Sequence, residues 1–117
     1  MTKEILLGSV LLVAAAISAR ADETGMAGIH EWRKEAGKTC LSDHFHDGVG
    51  TGTSRKDAEA KAIASWQSFT IWEYGTTWGS YRLAGSRKMD CTQAGVKDWS
   101  CAVSARACKA GSRGKRK

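Results

Sequence analysis

Four cysteines, Cys40, Cys91, Cys101 and Cys108, constrain this chain more than any other feature. None lies in a Cys-x-x-Cys pair, and spacings of ten and seven between the last three do not suit a zinc knuckle. What they form depends on compartment, and the first residues point to export. Residues 5–18 are an uncharged apolar run behind Lys3, and the run ends at Ala19-Arg20-Ala21. Small residues at those two outer positions are what a signal peptidase reads, so residues 1–21 are expected to be a signal peptide cut before Asp22. The run is shorter than the roughly 20 residues that cross a bilayer, so no membrane span is expected after cleavage. The mature protein is therefore expected to be secreted or periplasmic, where an even number of cysteines implies two disulfides.

Cleavage of 21 residues from 117 leaves 96, enough for one small domain. Residues 22–38 are polar, with glycines at 25, 28 and 37, and read as a flexible N-terminal arm with one helical turn around Glu31–Ala36. A disulfide-linked domain over 39–108 follows, and 109–117 form a basic flexible tail. In the domain, Thr39–Asp47 is a weak strand candidate with Leu41 and Phe45 on one face. The glycines at 48, 50 and 52 suggest a loop. Ser54, with Asp57 three positions on, opens a helix. Ala58, Ala62, Trp66, Phe69 and Glu73 then recur at spacings of 4, 4, 3 and 4, which predicts a helix over Arg55–Tyr74 with that stripe as its buried face. Gly75 is its stop. From Trp99 to Ala107 every second residue is apolar or small, a strand with one buried face. Its hairpin partner lies within Thr76–Cys91, and residues 92–98 turn between them. The expected fold is α+β, a β–α–β–β domain with one amphipathic helix on an antiparallel sheet.

Four cysteines allow three pairings, and spacing does not choose among them. Cys91 and Cys101 flank the hairpin turn and could meet across it, which favours Cys91–Cys101 with Cys40–Cys108.

Charge is distributed unevenly. Residues 22–108 hold eleven Lys and Arg against eleven Asp and Glu, so the domain is formally neutral. The excess sits in Lys109, Arg113, Lys115, Arg116 and Lys117. Such a tail suits loose attachment to an anionic envelope component or a protein partner, not sequence-specific reading of nucleic acid.

Two resemblances arise. Gly50-Thr-Gly-Thr-Ser-Arg-Lys-Asp-Ala-Glu-Ala-Lys-Ala62 resembles the last motif of double-stranded-RNA-binding domains, with Arg55 and Lys56 matching its basic pair. The match stops at Ala62, and export with disulfides runs against an RNA partner. Trp66, Tyr74-Gly75, Trp78, Ala84, Cys91, Trp99-x-Cys101 and Cys108 resemble the spacing in small secreted bacterial proteins of unknown function, which implies a compact exported domain and no particular chemistry.

No nucleophile elbow, P-loop or dinucleotide fingerprint is present in the sequence, so neither an enzyme nor a cofactor is expected. Asp43-His44-Phe45-His46-Asp47 is the most chemical stretch: on a strand His44 and His46 share a face and could hold a borderline metal, with His30 or an aspartate completing the shell. Of the five tryptophans, Trp66 and Trp99 belong to core faces. Trp32 and Trp72 fall outside them and, with Lys115, Arg116 and Lys117, are candidates for a partner surface. The leading expectation is a non-enzymatic binding protein of the bacterial envelope or secreted fraction. The alternative is a small metal-binding or enzymatic periplasmic protein using His44 and His46.

A disulfide framework in so small a domain carries a testable consequence. Reduction of both bonds should lower stability by roughly 2–5 kcal/mol, seen as a lower melting temperature than the oxidised protein's. Coincident melting curves would contradict the framework.

Overall fold

The computed structural model describes residues 22–111, so the expected signal peptide and Lys115, Arg116 and Lys117 lie outside the described residues. A short helix α1 (Gly25–Gly28) leads into strand β1 (Trp32–Glu35), followed by the long strand β2 (Lys38–Gly52) and helix α2 (Arg55–Tyr74). Two single 3-10 turns, Thr76–Trp78 and Tyr81–Leu83, lead to β3 (Gly85–Gln93) and β4 (Trp99–Ala110). The sheet is antiparallel throughout, in the order β1-β2-β4-β3. The α+β class and the helix-on-sheet arrangement agree with expectation, and the sheet has one strand more than the β–α–β–β scheme.

That extra strand corrects the reading of residues 22–38 as a loose arm. Instead of a helical turn around Glu31–Ala36, Trp32–Glu35 pairs with Lys38–Leu41. Ala36 and Gly37 both have positive φ (48° and 77°), which makes the tight two-residue turn whose twist suits a hairpin. An edge strand of this kind needs no apolar alternation, and Trp-Arg-Lys-Glu offers little; charge on an edge also discourages intermolecular pairing. At the other end, Lys109 and Ala110 belong to β4, not to the tail.

The glycine cluster is a second correction. Gly48, Gly50 and Gly52 are not a loop; they are alternate residues on the face of β2 that meets α2. A Cβ at Gly48 would stand 2.3 Å from the carbonyl oxygen of Ala62, and one at Gly50 would stand 2.3 Å from the amide nitrogen of Ala62. The strand and the helix thus touch backbone to backbone, with Ala58 and Ala62 fully buried between them. Helix α2 starts as expected: the Ser54 side chain accepts a hydrogen bond from the Asp57 amide at 3.1 Å. Its buried face runs Ala58, Ala62, Trp66, Thr70, Tyr74, a strict spacing of four, where the sequence suggested Phe69 and Glu73. Phe69 is exposed. Trp66 anchors the layer by donating its indole N–H to the carbonyl of Ala105 at 3.2 Å.

β4 buries Cys101, Val103, Ala105 and Ala107 on one face, as its alternation predicts. The two disulfides are Cys40–Cys108 and Cys91–Cys101, each joining residues directly opposite in register, with Cα atoms 4.0 and 4.1 Å apart. Between the first disulfide and the rest of the sheet, β2 bulges: Cys40 faces Cys108 and Phe45 faces Arg106, so residues 41–44 stand against Ala107 alone. The bulge separates Leu41, which is buried, from Phe45, which is exposed; they do not share a face. The Arg106 side chain, itself buried, holds the bulge: its Nη1 donates to the carbonyl of Leu41 at 2.8 Å, its Nε lies 3.4 Å from Glu35 Oε2, and its guanidinium covers the Phe45 ring at 4.5 Å.

The close contact makes a sharp prediction. Gly50→Ala should cost about 3 kcal/mol by forcing helix and strand apart, whereas the outward Thr51→Ala should change stability by no more than about 0.5 kcal/mol. Urea denaturation of the two variants checks both.

Candidate metal centre

The bulge and the end of α2 bring all three histidines of the chain to one place. His44 rises from the bulge, and His46 follows on the helix-facing side, in the row that continues through Gly48 and Gly50. His30 sits in the turn after α1. That segment is fastened to the end of α2: the Thr24 amide donates to the carbonyl of Tyr74 at 2.9 Å, the Thr24 hydroxyl donates to the carbonyl of Glu73, and the Thr77 amide donates to the carbonyl of Asp22 at 3.0 Å. Glu73, in the last turn of α2, turns its carboxylate toward the histidines.

Ring centroids of His30 and His44 are 4.7 Å apart, and those of His44 and His46 are 5.2 Å apart. His46 Nε2 lies 3.4 Å from Glu73 Oε2, and His44 Nε2 lies 4.0 Å from Glu73 Oε1. His30, His44 and Glu73 offer ligand atoms all within 4.8 Å of one another. Tyr74 forms the floor, its ring nearly perpendicular to all three imidazoles. Phe69 closes one side against His46 at 4.8 Å and stacks on Trp72 at 5.9 Å.

His46 is almost wholly buried, at 3% exposure, and neither ring nitrogen has a hydrogen bond. His30 Nε2 is buried without a hydrogen bond as well. Buried polar atoms nearly always find partners, and around these the nearest charged group is the Glu73 carboxylate, 3.4 Å from His46 Nε2. Burial holds the His46 pKa below the usual imidazole value; the Glu73 carboxylate opposes this, His44 adds to it, Asp47 opposes it and His30 adds to it. The imidazole is therefore neutral, with a lone pair ready for a metal. Burial, reinforced by the Glu73 charge and by a hydrogen bond to that carboxylate, pushes the Tyr74 phenol up, so it stays protonated.

The cluster contains both sequence candidates, His44 and His46, together with His30. An aspartate does not complete it; Glu73 does. In the sequence Glu73 falls on the core stripe of α2, and its type is the available signal: a carboxylate on a buried helical face needs a partner. Trp72 is exposed at 76%, as expected, and Trp32 is partly exposed at 41% on β1, packed edge-on against the buried Trp78. The two tryptophans belong to separate places: Trp72 flanks the histidine cluster and Trp32 does not. No family model matches the chain, and neither a curated protein nor a solved structure does.

The sign of the His46 shift fixes a pH dependence. Unfolding frees the imidazole to bind a proton at its ordinary pKa of 6.5, whereas in the fold it resists protonation. Stability of the metal-free protein should therefore be fully present above that pKa and fall as pH drops below it. His46→Gln should flatten this dependence, read as the urea midpoint at pH 7.5 and pH 5.

Proposed function

We propose that this protein is an exported metal-binding domain that holds a borderline divalent cation, zinc or copper, through His30, His44, His46 and Glu73. The observation that carries the reading is the convergence of every histidine of the chain on one carboxylate, with buried ring nitrogens that have no other partner. Three imidazoles and a carboxylate favour zinc, copper or nickel over the hard cations, which prefer all-oxygen shells. A tetrahedral ion with bonds of about 2.0–2.1 Å sets neighbouring ligand atoms roughly 3.3 Å apart. The His46–Glu73 separation of 3.4 Å already meets that spacing. His44 and His30 offer ligand atoms within 4.8 Å of the Glu73 carboxylate, and His44 is open to the solvent that delivers the ion.

The cysteines take no part, since all four are held in disulfides. Two disulfides fit an oxidising compartment and so support export, as does the signal-like sequence of residues 1–21. Among the described residues no helix is long and apolar enough to cross a membrane.

Calorimetric titration of metal-free protein with zinc and with copper tests the proposal. One ion should bind per chain, and His44→Ala or Glu73→Gln should weaken it by more than the roughly 10–100-fold cost of losing an outer-shell partner. Bound metal should also raise the melting temperature, by an amount equivalent to about 2.7 kcal/mol when free metal is a hundredfold above Kd. No heat and an unchanged melting temperature at micromolar zinc, copper and nickel would overturn it.

A further inference from the structure

Strand register builds a second cluster, distinct from the histidines. Lys34 on β1 stands opposite Thr39 on β2, and Thr39 stands opposite Lys109 on β4. The three side chains therefore form one row across the sheet, with an ammonium on either side of a hydroxyl. Trp32, two residues before Lys34, points to the same face. Lys34 Nζ donates to Thr39 Oγ1 at 2.9 Å, and Lys109 Nζ lies 4.1 Å from the Trp32 ring centroid and 5.0 Å from that of Trp78. The Trp32 ring is fixed by its own N–H, which donates to the carbonyl of Ala27 at 2.8 Å. Together with Arg33 and Ala110 these residues line a cleft of about 520 Å³.

Two like charges in one cross-strand row oppose folding, because the sheet brings them together without an acid between them. Glu23 reaches Lys109 from the side at 3.3 Å, while Glu35, 3.6 Å from Arg33, is shared with Arg106 and Ser86. Cation remains in excess around a rigid, partly exposed indole. An indole offers a flat apolar face, and the flanking ammonium groups of Lys34 and Lys109 donate charge-assisted hydrogen bonds to anionic oxygens. A strand of bases would need several stacking platforms in succession. Only one ring of this cleft is open, since Trp78 is fully buried. A single platform flanked by cations fits one sugar ring bearing acid groups. From Ala110 the sequence continues through Gly111 into Arg113, Lys115, Arg116 and Lys117 with no acid, which suits a chain of such rings more than a single one.

We propose that the cleft binds an acidic polysaccharide, with one ring stacked on Trp32 and its anionic groups on Lys34, Lys109 and the Thr39 hydroxyl. The test is titration of the full mature chain with a polygalacturonate fragment, followed by the indole N–H and amide NMR signals. A neutral dextran fragment and a single-stranded oligonucleotide serve as parallel probes. Polygalacturonate should shift the Trp32 indole and Thr39 amide signals, and dextran should not. The double variant Lys34→Gln/Lys109→Gln should weaken binding about tenfold or more, while retaining the dispersed spectrum of the folded chain. Lys115→Gln/Arg116→Gln/Lys117→Gln should alter the salt dependence but leave the Trp32 shift in place. Trp32→Phe keeps a ring on β1 and should bind with reduced affinity. The proposal fails if the double variant binds polygalacturonate as tightly as the parent. It fails equally if dextran shifts Trp32 as strongly, or if only the oligonucleotide does.

Discussion

Everything else in this molecule depends on a backbone contact. The first half of α2 lies directly on the glycines of β2, nearer than any side chain would allow, so Gly48 and Gly50 set the height of the helix above the sheet. Once that height is fixed, alanine is what fits directly over the glycines, at Ala58 and Ala62, and larger side chains follow from Trp66 onward. At Trp66 the backbone still lies against Gly48, and the indole lies beside Ala105, with Thr70 and Tyr74 following on the same face. The far end of the same helix brings Glu73 to His44 and His46 on the bulged part of β2. Small residues at one end and a polar pocket at the other are two results of a single packing constraint.

The bulge is the complementary half. A regular β2 would alternate faces from Thr39 to Gly52 without interruption, and the disulfide at Cys40 would share its register with the glycine row. Extra residues between Cys40 and Phe45 uncouple the two, allowing His44 and His46 to meet one carboxylate while Cys40 stays opposite Cys108. Irregularities of this kind re-aim side chains, often beside functional sites. Arg106 makes the irregularity stable by satisfying the carbonyl of Leu41, which the bulge withdraws from the ladder.

How much of this could be read in advance follows from the type of signal. Helix α2 and strand β4 each carry their own periodicity, so their positions are legible, as are the hairpin joining β3 to β4 and the placing of His44 beside His46. Gly48, Gly50 and Gly52 misled because glycine usually breaks a strand; its use here depends on a helix that arrives later in the chain. Phe69 and Glu73 read as buried-face residues because one step of three in a run of fours is within helical tolerance. The helix keeps to fours, turning Thr70 and Tyr74 inward instead. β1 has almost no apolar content, so only its partner and the Ala36–Gly37 turn define it. His30 was recognisable as a candidate ligand, but its approach depends on hydrogen bonds from Thr24 to the far end of α2.

The two disulfides differ in span: ten residues separate Cys91 from Cys101, and 68 separate Cys40 from Cys108. Closing a short loop costs less chain entropy, and local contacts form earlier than distant ones. The β3–β4 hairpin can therefore lock by itself, before β2 has found its place. The pairing of β2 with β4 instead joins residues far apart in the chain, and the longer bond closes across it. The histidine-bearing strand is thus held to the rest of the sheet by a long-range link, and the cluster is defined only where that link and the end of α2 are both in place.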